Sequence, residues 1–163
     1  MSSFSQNNGI VQLVVAGYDS NTAVEFESFS MKKYNHATII IMFNDSLTGD
    51  NVLTVECGAT DSADTSDATF HYRLAGAVNQ LTGADLYAVD ATAATLTLTA
   101  ATYQGKTLII ELDADELPTS GSTVYDWVTV DLNGAASGAS LIGACAILSE
   151  PRYSGAIMPT AIS

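Results

Sequence analysis

Two histidines, several carboxylates and two cysteines are the side chains of this sequence that could carry chemistry. His71 alternates with Phe70 and Tyr72, which predicts a solvated position on the polar face of a strand. His36 precedes an apolar segment, as expected of a residue at a turn or strand end. A catalytic triad needs a nucleophile, a base and an orienting group, and the sequence nominates no such three residues. Because G-x-S-x-G and phosphate-loop motifs are absent as well, we predict no catalytic residues and no enzymatic activity.

Two runs of carboxylates contain the type of residue that binds calcium, since this ion takes hard oxygen ligands. The first places an aspartate at every third position, and the second follows a strand-like segment. Their members are Asp61, Asp64 and Asp67, and Asp113, Asp115 and Glu116. Neither run has EF-hand spacing, and loops of Asp, Ser and Thr are usually solvated turns. We therefore predict no metal and no cofactor.

The two cysteines, Cys57 and Cys145, each lie inside an apolar segment. This position favours two buried thiols over a disulfide or a metal pair. A zinc site would need more Cys or His residues at close spacing. Both cysteines are therefore expected to act as small hydrophobic residues.

The charge balance argues against two classes of partner. Five Lys plus Arg oppose eighteen Asp plus Glu in 163 residues, which gives a net charge of −13. Contacts to phosphate need clustered Lys or Arg, so neither nucleic acid nor an anionic membrane is a predicted partner. The longest apolar run, Leu141–Leu148, is far shorter than the roughly 20 residues of a membrane helix. The first residues lack the basic region of a signal peptide, so we expect synthesis in a cytoplasm.

Apolar and polar residues alternate with a period of two, which predicts strands with one buried face. Ten strand-like segments are separated by turn-forming residues, and this spacing predicts an antiparallel β-sandwich, jelly-roll-like, with extended terminal arms. One helical turn is predicted at 113–117, ahead of Pro118. The predicted strands lie at about 11–16, 24–30, 37–44, 52–58, 69–76, 84–90, 94–100, 107–113, 124–132 and 140–149.

We predict a single sandwich domain at 11–153 between an N-terminal arm at 1–10 and a C-terminal arm at 154–163. The N-terminal residues show no apolar periodicity, and the last ten mix turn residues with Ile157, Met158 and Ile162. Such segments bury too little apolar surface to fold alone. We therefore predict that Ile157, Met158 and Ile162 contact a partner, with the arm laid along a neighbouring subunit.

Two segments, Ala37–Phe43 and Leu141–Leu148, are apolar on both parities. A strand of this kind must be covered on both faces. One sheet face packs inside the sandwich, and either arms and loops of the same chain or another subunit would cover the other. The second alternative predicts a homodimer or homotrimer.

Tyr125 and Trp127 share one parity of the strand at 124–132. Exposed aromatic pairs serve as stacking platforms for sugars or as anchors for a protein partner. A third alternative is that a loop of the same chain covers them. We retain both residues as candidate partner contacts.

Several segments resemble small virion proteins encoded among the head genes of tailed bacteriophages. The likeness is carried by Tyr125–Leu132 and by Leu141–Tyr153 with its Pro-Arg-Tyr close, and Met31–Phe43 and Thr107–Leu117 are similar in style. It spans roughly residues 24–153. The proteins it resembles are cement or decoration proteins, which are β-sandwich or jelly-roll subunits that dock as oligomers on the outer capsid lattice.

The resemblance implies a structural virion protein at the capsid surface, with the major capsid protein as partner and no cofactor. Such binding is spread over surfaces, so no set of functional residues transfers from it. A carbohydrate-binding or host-receptor adhesin module that uses Tyr125 and Trp127 is the alternative. A head-completion or tail subunit is the third.

Overall fold

The structure is a computed structural model that describes residues 4–19, 23–133 and 141–153, and most of its regular structure is β. In chain order the elements are α1 (Phe4–Asn7), β1 (Gly9–Asp19), β2 (Val24–Glu25), β3 (Phe29–Ser30), β4 (Tyr34–Phe43), β5 (Asn51–Gly58), β6 (Ser66–Asp67), β7 (Phe70–Leu74), β8 (Ala91–Ala93), β9 (Thr95–Leu98), α2 (Ala100–Tyr103), β10 (Thr107–Asp113), β11 (Thr119–Ser120), β12 (Thr123–Val124), β13 (Trp127–Asn133) and β14 (Leu141–Pro151).

The strands form two large antiparallel sheets. Sheet A has the order β1-β14-β4-β10-β7-β8. Sheet B has the order β2-β13-β5-β6, and β3 also pairs with β13 while β9 also pairs with β5. Strands β11 and β12 form a separate hairpin. The predicted all-β, antiparallel architecture is therefore confirmed.

The strand order is that of a jelly roll. The main strands along the chain are β1, β2 with β3, β4, β5, β9, β10, β13 and β14. Sheet A contains the first, eighth, third and sixth of them, and sheet B contains the second, seventh, fourth and fifth. The chain therefore crosses between the sheets at every main connection except the one from β5 to β9, as in two interlocked Greek keys. In that one connection, the β7–β8 hairpin extends the edge of sheet A.

The core lies between the two sheets and follows the alternation in the sequence. On β4 the odd-numbered Ile39 and Ile41 are fully buried, and on β10 the even-numbered Leu108 and Ile110 are. Sheet B supplies the opposite wall of the core through side chains such as Leu53 on β5. Burial of a large aliphatic side chain contributes about 1.5–3 kcal/mol, so the period-two pattern itself fixes which face of each strand turns inward.

The predicted strand at 84–90 is wrong, because residues 76–90 form a loop that connects β7 to β8. One isolated bridge joins Ala75 to Tyr87 within the described residues. Gly83 has a φ of 91°, and the amides of Gly76 and Leu86 bond to the carbonyls of Leu86 and Gly83. These turns fold the segment on itself, so its apolar alternation does not form a strand with one buried face.

The predicted helical turn at 113–117 is also wrong. Asp113 remains in β10 and pairs with His36, and the amide of Glu116 bonds to the carbonyl of Asp113 in a single turn. The short helix of this region is α2, which begins after Thr99. It ends before Gly105, whose φ of 67° suits a residue that follows a helix.

At the N-terminus, β1 begins at Gly9, two residues before the predicted start, and Phe4–Asn7 form one helical turn. The C-terminal arm at 154–163, with Ile157, Met158 and Ile162, lies outside the described residues. In the part of the chain that is described, no helix is long and apolar enough to cross a membrane.

Candidate interaction surface

The outer face of sheet A, which turns away from the core, carries two rows of registered side chains. One row runs across five strands in the order Ile10, Ile147, Thr38, Glu111 and His71. The row beside it runs in the order Gln12, Cys145, Ile40, Ile109 and Arg73. The apolar members of the two rows lie on β1, β14, β4 and, at Ile109, on β10. The charged or titratable members are Glu111 on β10 and His71 and Arg73 on β7. The face is therefore divided into an apolar half and a polar half.

The apolar half contains six side chains that we call the stripe. They are Ile10, Ile40, Met42, Ile109, Cys145 and Ile147. Ile10 is 58% exposed and Met42 is 50% exposed, and the other four are partly buried by their neighbours in the sheet. These two exposures show that the stripe is open, and they locate the second apolar face predicted for Ala37–Phe43 and Leu141–Leu148.

The polar half of the same face carries both histidines of the chain. His36 Nδ1 lies 2.6 Å from Asp113 Oδ1, and His71 Nδ1 lies 2.7 Å from Asp90 Oδ2. The hydrogen bond to Asp90 raises the pKa of His71, which favours its protonated form. Arg73 lies near the same carboxylate, at 3.9 Å. The predicted solvated position of His71 is confirmed, and this half of the face carries charges of both signs.

A second apolar surface is the loop at 76–90, which we call the apolar loop. Leu86 is 67% exposed and Val89 is 89% exposed, and Leu81 and Tyr87 are exposed beside them. Sequence reasoning missed this surface because it assigned residues 84–90 to a strand. The sequence does contain a signal for a loop here, because glycines, which mark turns, stand at 76 and 83, at both ends of the first half of this segment.

The outer face of sheet B is acidic. Glu56 on β5, Asp64 and Asp67 bring carboxylate oxygens within 4.8 Å of one another, and Asp131 pairs with Glu25 nearby. Of the predicted aspartate run, Asp64 and Asp67 join this group. Exposed acidic groups are common without an ion, so we assign no metal to it.

This crowding changes the ionisation of Glu56. Burial and then the negative charges of Asp64, Asp131 and Asp67 raise the pKa of Glu56 from 4.5 to about 7. Burial also raises the pKa of Asp131, with Asp64 adding to it. In both cases the folded state disfavours the charged carboxylate.

Between pH 4.5 and about 7 the folded chain holds a proton on Glu56 that the unfolded chain has released, so stability falls as the pH rises through this window. We expect Glu56→Gln to raise the free energy of unfolding by about 1 kcal/mol at pH 8, a value reduced for solvent screening. At pH 4 the variant and the parent protein should be equally stable. Thermal melts at the two pH values measure the difference.

The control for that experiment is Asp85→Asn, which removes an exposed carboxylate outside the acidic group. Its effect should be small at both pH values. A gain from Glu56→Gln that is the same at pH 4 and pH 8 would contradict the assigned pKa of Glu56.

Of the two aromatic residues predicted as partner contacts, Trp127 lies on β13 of sheet B, and Tyr125 lies two residues before that strand. Trp127 is partly buried at the start of β13, where it pairs with Ser30 and Gly58. Tyr125 is partly buried and packs against the core. Their exposed area is smaller than that of the apolar loop.

The two cysteines lie in different sheets and are both free thiols. Cys57 faces the core from β5, and burial raises its pKa to about 12. Cys145 belongs to the stripe on the outer face of sheet A, and burial raises its pKa as well. The predicted core position holds for Cys57, whereas Cys145 is only partly buried.

A cleft of about 980 Å³ lies beside the end of sheet A where β4 begins. Its walls carry both signs of charge, from Lys32 and Arg152 and from carboxylates such as Asp115. His36 and Asp113 also line it, but its lining residues include no Ser, Thr or Cys that this pair could activate. The cleft therefore has the chemistry of a polar surface groove.

Comparisons with known proteins show no family for this chain. No family model matches the sequence, and no curated protein matches it. Among solved structures, the chain aligns with one titled Desmodium yellow mottle tymovirus at 12% identity, over 92% of this chain and 89% of that chain, with a TM-score of 0.28. A likeness at this TM-score carries no argument about function, which must come from the surfaces described above.

Proposed function

We propose that this protein is a structural virion protein of a bacteriophage that binds the outside of the capsid lattice and stabilises it. In this role it is a decoration or cement protein, made in the host cytoplasm and carried on the capsid surface. Its partners are the major capsid protein and further copies of itself. It needs no catalytic residue and no cofactor for this role.

The observation that carries the proposal is a pair of apolar surfaces on one jelly-roll subunit that residues 4–19, 23–133 and 141–153 leave uncovered. Monomeric soluble proteins rarely leave large apolar patches open unless a partner covers them. Here the apolar loop projects Leu86 and Val89 into solvent, while the stripe lies open on sheet A. Two separate surfaces give each subunit two contacts, as a protein that clamps across a lattice requires.

The physical logic of such a protein is multivalency. Each contact is small, but a subunit held at two points rebinds at high effective concentration whenever one point releases. Many copies then raise the barrier to rupture of the shell without any tight single contact. The net charge of −13 supports this location, because it disfavours binding to the packaged nucleic acid.

The adhesin alternative has less support from the geometry. Its stacking platform would be Tyr125 and Trp127, and both side chains are partly buried. Binding of the isolated protein to a glycan array would favour this alternative. The head-completion or tail alternative shares the apolar surfaces and differs in copy number.

The proposal is tested by adding the purified protein to phage heads assembled without it. We expect added protein to sediment with the heads and to raise the temperature at which they release DNA. Heads that lack the protein and heads incubated with serum albumin are the controls. Failure to cosediment at saturating concentration would contradict the proposal.

The C-terminal arm gives a further test of attachment. Ile157, Met158 and Ile162 are three apolar residues within the last seven of the sequence, which is unusual for a segment meant only for solvent. We expect deletion of 154–163 to leave the sandwich folded and to weaken cosedimentation with heads at least tenfold, since one point of attachment is lost. Circular dichroism checks folding. Equal binding by the shortened protein would show that the arm has no role.

A further inference from the structure

We propose that His71 is a positioning residue, which through Asp90 anchors the C-terminal end of the apolar loop to sheet A in a pH-dependent way. The inference deepens the proposed function, on which its biological role rests, because it names a control on one of the two attachment surfaces. Its support comes from the register of the β7–β8 hairpin, from two contacts of one carboxylate, and from the charges around them.

The register of the hairpin places Asp90 beside two basic side chains of β7. Tyr72 pairs with Ala91, so the next position of the same register sets Arg73 opposite Asp90. Opposed residues of antiparallel strands point to the same face, and diagonal neighbours lie within reach of aromatic and long side chains. Asp90 is therefore directed to the outer face of sheet A, where Arg73 lies opposite it and His71 lies on the diagonal.

The carboxylate of Asp90 contacts both basic side chains, one with each oxygen. Asp90 Oδ2 lies 2.7 Å from His71 Nδ1, and Asp90 Oδ1 lies 3.9 Å from Arg73 Nε. The nearer contact is a hydrogen bond, whereas the contact to Arg73 is close to the outer limit of an ion pair. His71 therefore makes the stronger of the two contacts to Asp90.

Asp90 is the last residue of the apolar loop, and its position affects the most exposed of the loop's large apolar side chains. The amide of Ala88 donates to the carbonyl of Leu74 at 2.9 Å, and β8 begins at Ala91. Val89 and Asp90 lie between these two points, and Val89 is 89% exposed. A loop that is already held in place loses less conformational entropy when a partner covers it, so the anchor favours attachment.

The anchor depends on the charge of His71, because further carboxylates line the same groove. A charge-assisted hydrogen bond is roughly twice as strong as a neutral one, so protonated His71 holds Asp90 more firmly than neutral His71 does. Once His71 is neutral, the ion pair that remains to Asp90 is the longer one to Arg73. The other charged and titratable groups that line this groove are Arg73 on β7, Glu111 and Asp113 on β10, His36 on β4, and Glu116, three residues after β10.

The direction of the pH effect follows from the pKa of His71. The hydrogen bond to Asp90 raises this pKa above its ordinary value of 6.5, and the charges of Asp90, Glu116 and Asp113 add to the rise. The stabilisation from a group whose pKa rises on folding is complete below its unfolded value and is lost as the pH rises through its folded value. The loop is therefore held most firmly below pH 6.5 and less firmly once His71 has lost its proton.

The test is made on the full-length protein by NMR. Titration of the two histidines should give His71 a pKa above 6.5, which Asp90→Asn lowers. Hydrogen exchange of the Ala88 amide, expressed relative to an unstructured chain at the same pH, then reports how firmly the loop is held. At pH 5.5 we expect His71→Gln to speed this exchange about threefold, a size typical of an exposed ion pair. At pH 8.5 the parent protein and the variant should exchange alike, and Asp90→Asn serves as a second variant at both pH values.

Two controls separate the anchor from a general effect of charge. His36→Gln removes the other histidine, which bonds to Asp113 instead of the loop, and it should leave the loop unchanged. The amide of Asn79 bonds to the carbonyl of Gly105 near the start of the loop, and its exchange should not respond to His71→Gln.

Binding to phage heads should follow the same pH profile. We expect the parent protein to bind heads about threefold more tightly than His71→Gln at pH 5.5 and equally at pH 8.5, since the anchor contributes only while His71 is charged. His71→Lys keeps a positive charge at pH 8.5 and should retain there the slow exchange that the parent protein loses.

Three results would overturn the anchor. They are equal exchange of the parent protein and His71→Gln at pH 5.5, a difference between them that is the same at both pH values, and an equal effect from His36→Gln. Equal binding of the parent protein and His71→Gln to heads at pH 5.5 would overturn its role in attachment. A loop that responds as expected in a protein that does not bind phage heads would support the anchor and contradict the proposed function, so the two failures are distinguishable.

Discussion

Replacement of Phe70 by alanine is expected to lower the free energy of unfolding by about 3–5 kcal/mol, the usual cost of emptying a buried aromatic site. Phe70 is fully buried at the start of β7, and its ring meets Tyr72 edge-on at a centroid distance of 6.2 Å. Here β7 joins β10, so the cavity would open beside the centre of sheet A. Chemical denaturation of the purified variant measures the loss.

The matched control is Phe4→Ala, which removes the same side chain from a site that is 59% exposed. Its cost should stay within about 0.5 kcal/mol, as for most surface substitutions. Similar losses in the two variants would contradict the core described here.

Substitution of two residues in the apolar loop is expected to weaken attachment to the capsid strongly while the fold is kept. Leu86 and Val89 are exposed, so the double variant Leu86→Ser, Val89→Ser should change stability by less than about 1 kcal/mol. Burying each side chain in a partner contributes about 1.5–3 kcal/mol, so binding to phage heads should weaken by roughly 100-fold or more. Cosedimentation at increasing protein concentration measures the change.

The control for the loop is the double variant Val52→Ser, Val124→Ser, which changes two exposed valines elsewhere on the molecule. It should bind heads as the parent protein does. Loss of binding in both double variants would show that attachment does not depend on the loop.

Much of the fold was predictable because each strand of a sandwich has one buried face. Successive side chains of a strand point to opposite faces, so burial of one face appears in the sequence as alternation of apolar and polar residues. Each of the segments around Leu98, Ile110 and Val130 alternates in sequence, and in each the apolar face is the buried one. The pairing order was not predictable, since register depends on contacts between strands far apart in the chain. The strand predicted at 84–90 was wrong because an alternating pattern predicts a strand only where a second layer of the protein covers one face of that strand.

The candidate surfaces were predictable in part. Strands apolar on both parities indicated a second apolar face, and β4 and β14 lie side by side to form it. The charged half of that face could not be foreseen, because His36 meets Asp113 across 77 positions of sequence. The acidic group around Glu56 likewise depends on the pairing of β5 with β6 and β13.

The central claim, that this chain is a structural component of the virion shell, is tested most directly by its copy number in purified particles. Quantitative mass spectrometry, referenced to the major capsid protein, gives that number. A subunit that decorates the lattice should be present at on the order of a hundred copies or more, in fixed ratio to the capsid protein. Absence from the particle would contradict the claim outright, and a handful of copies would instead indicate a head-completion or tail subunit.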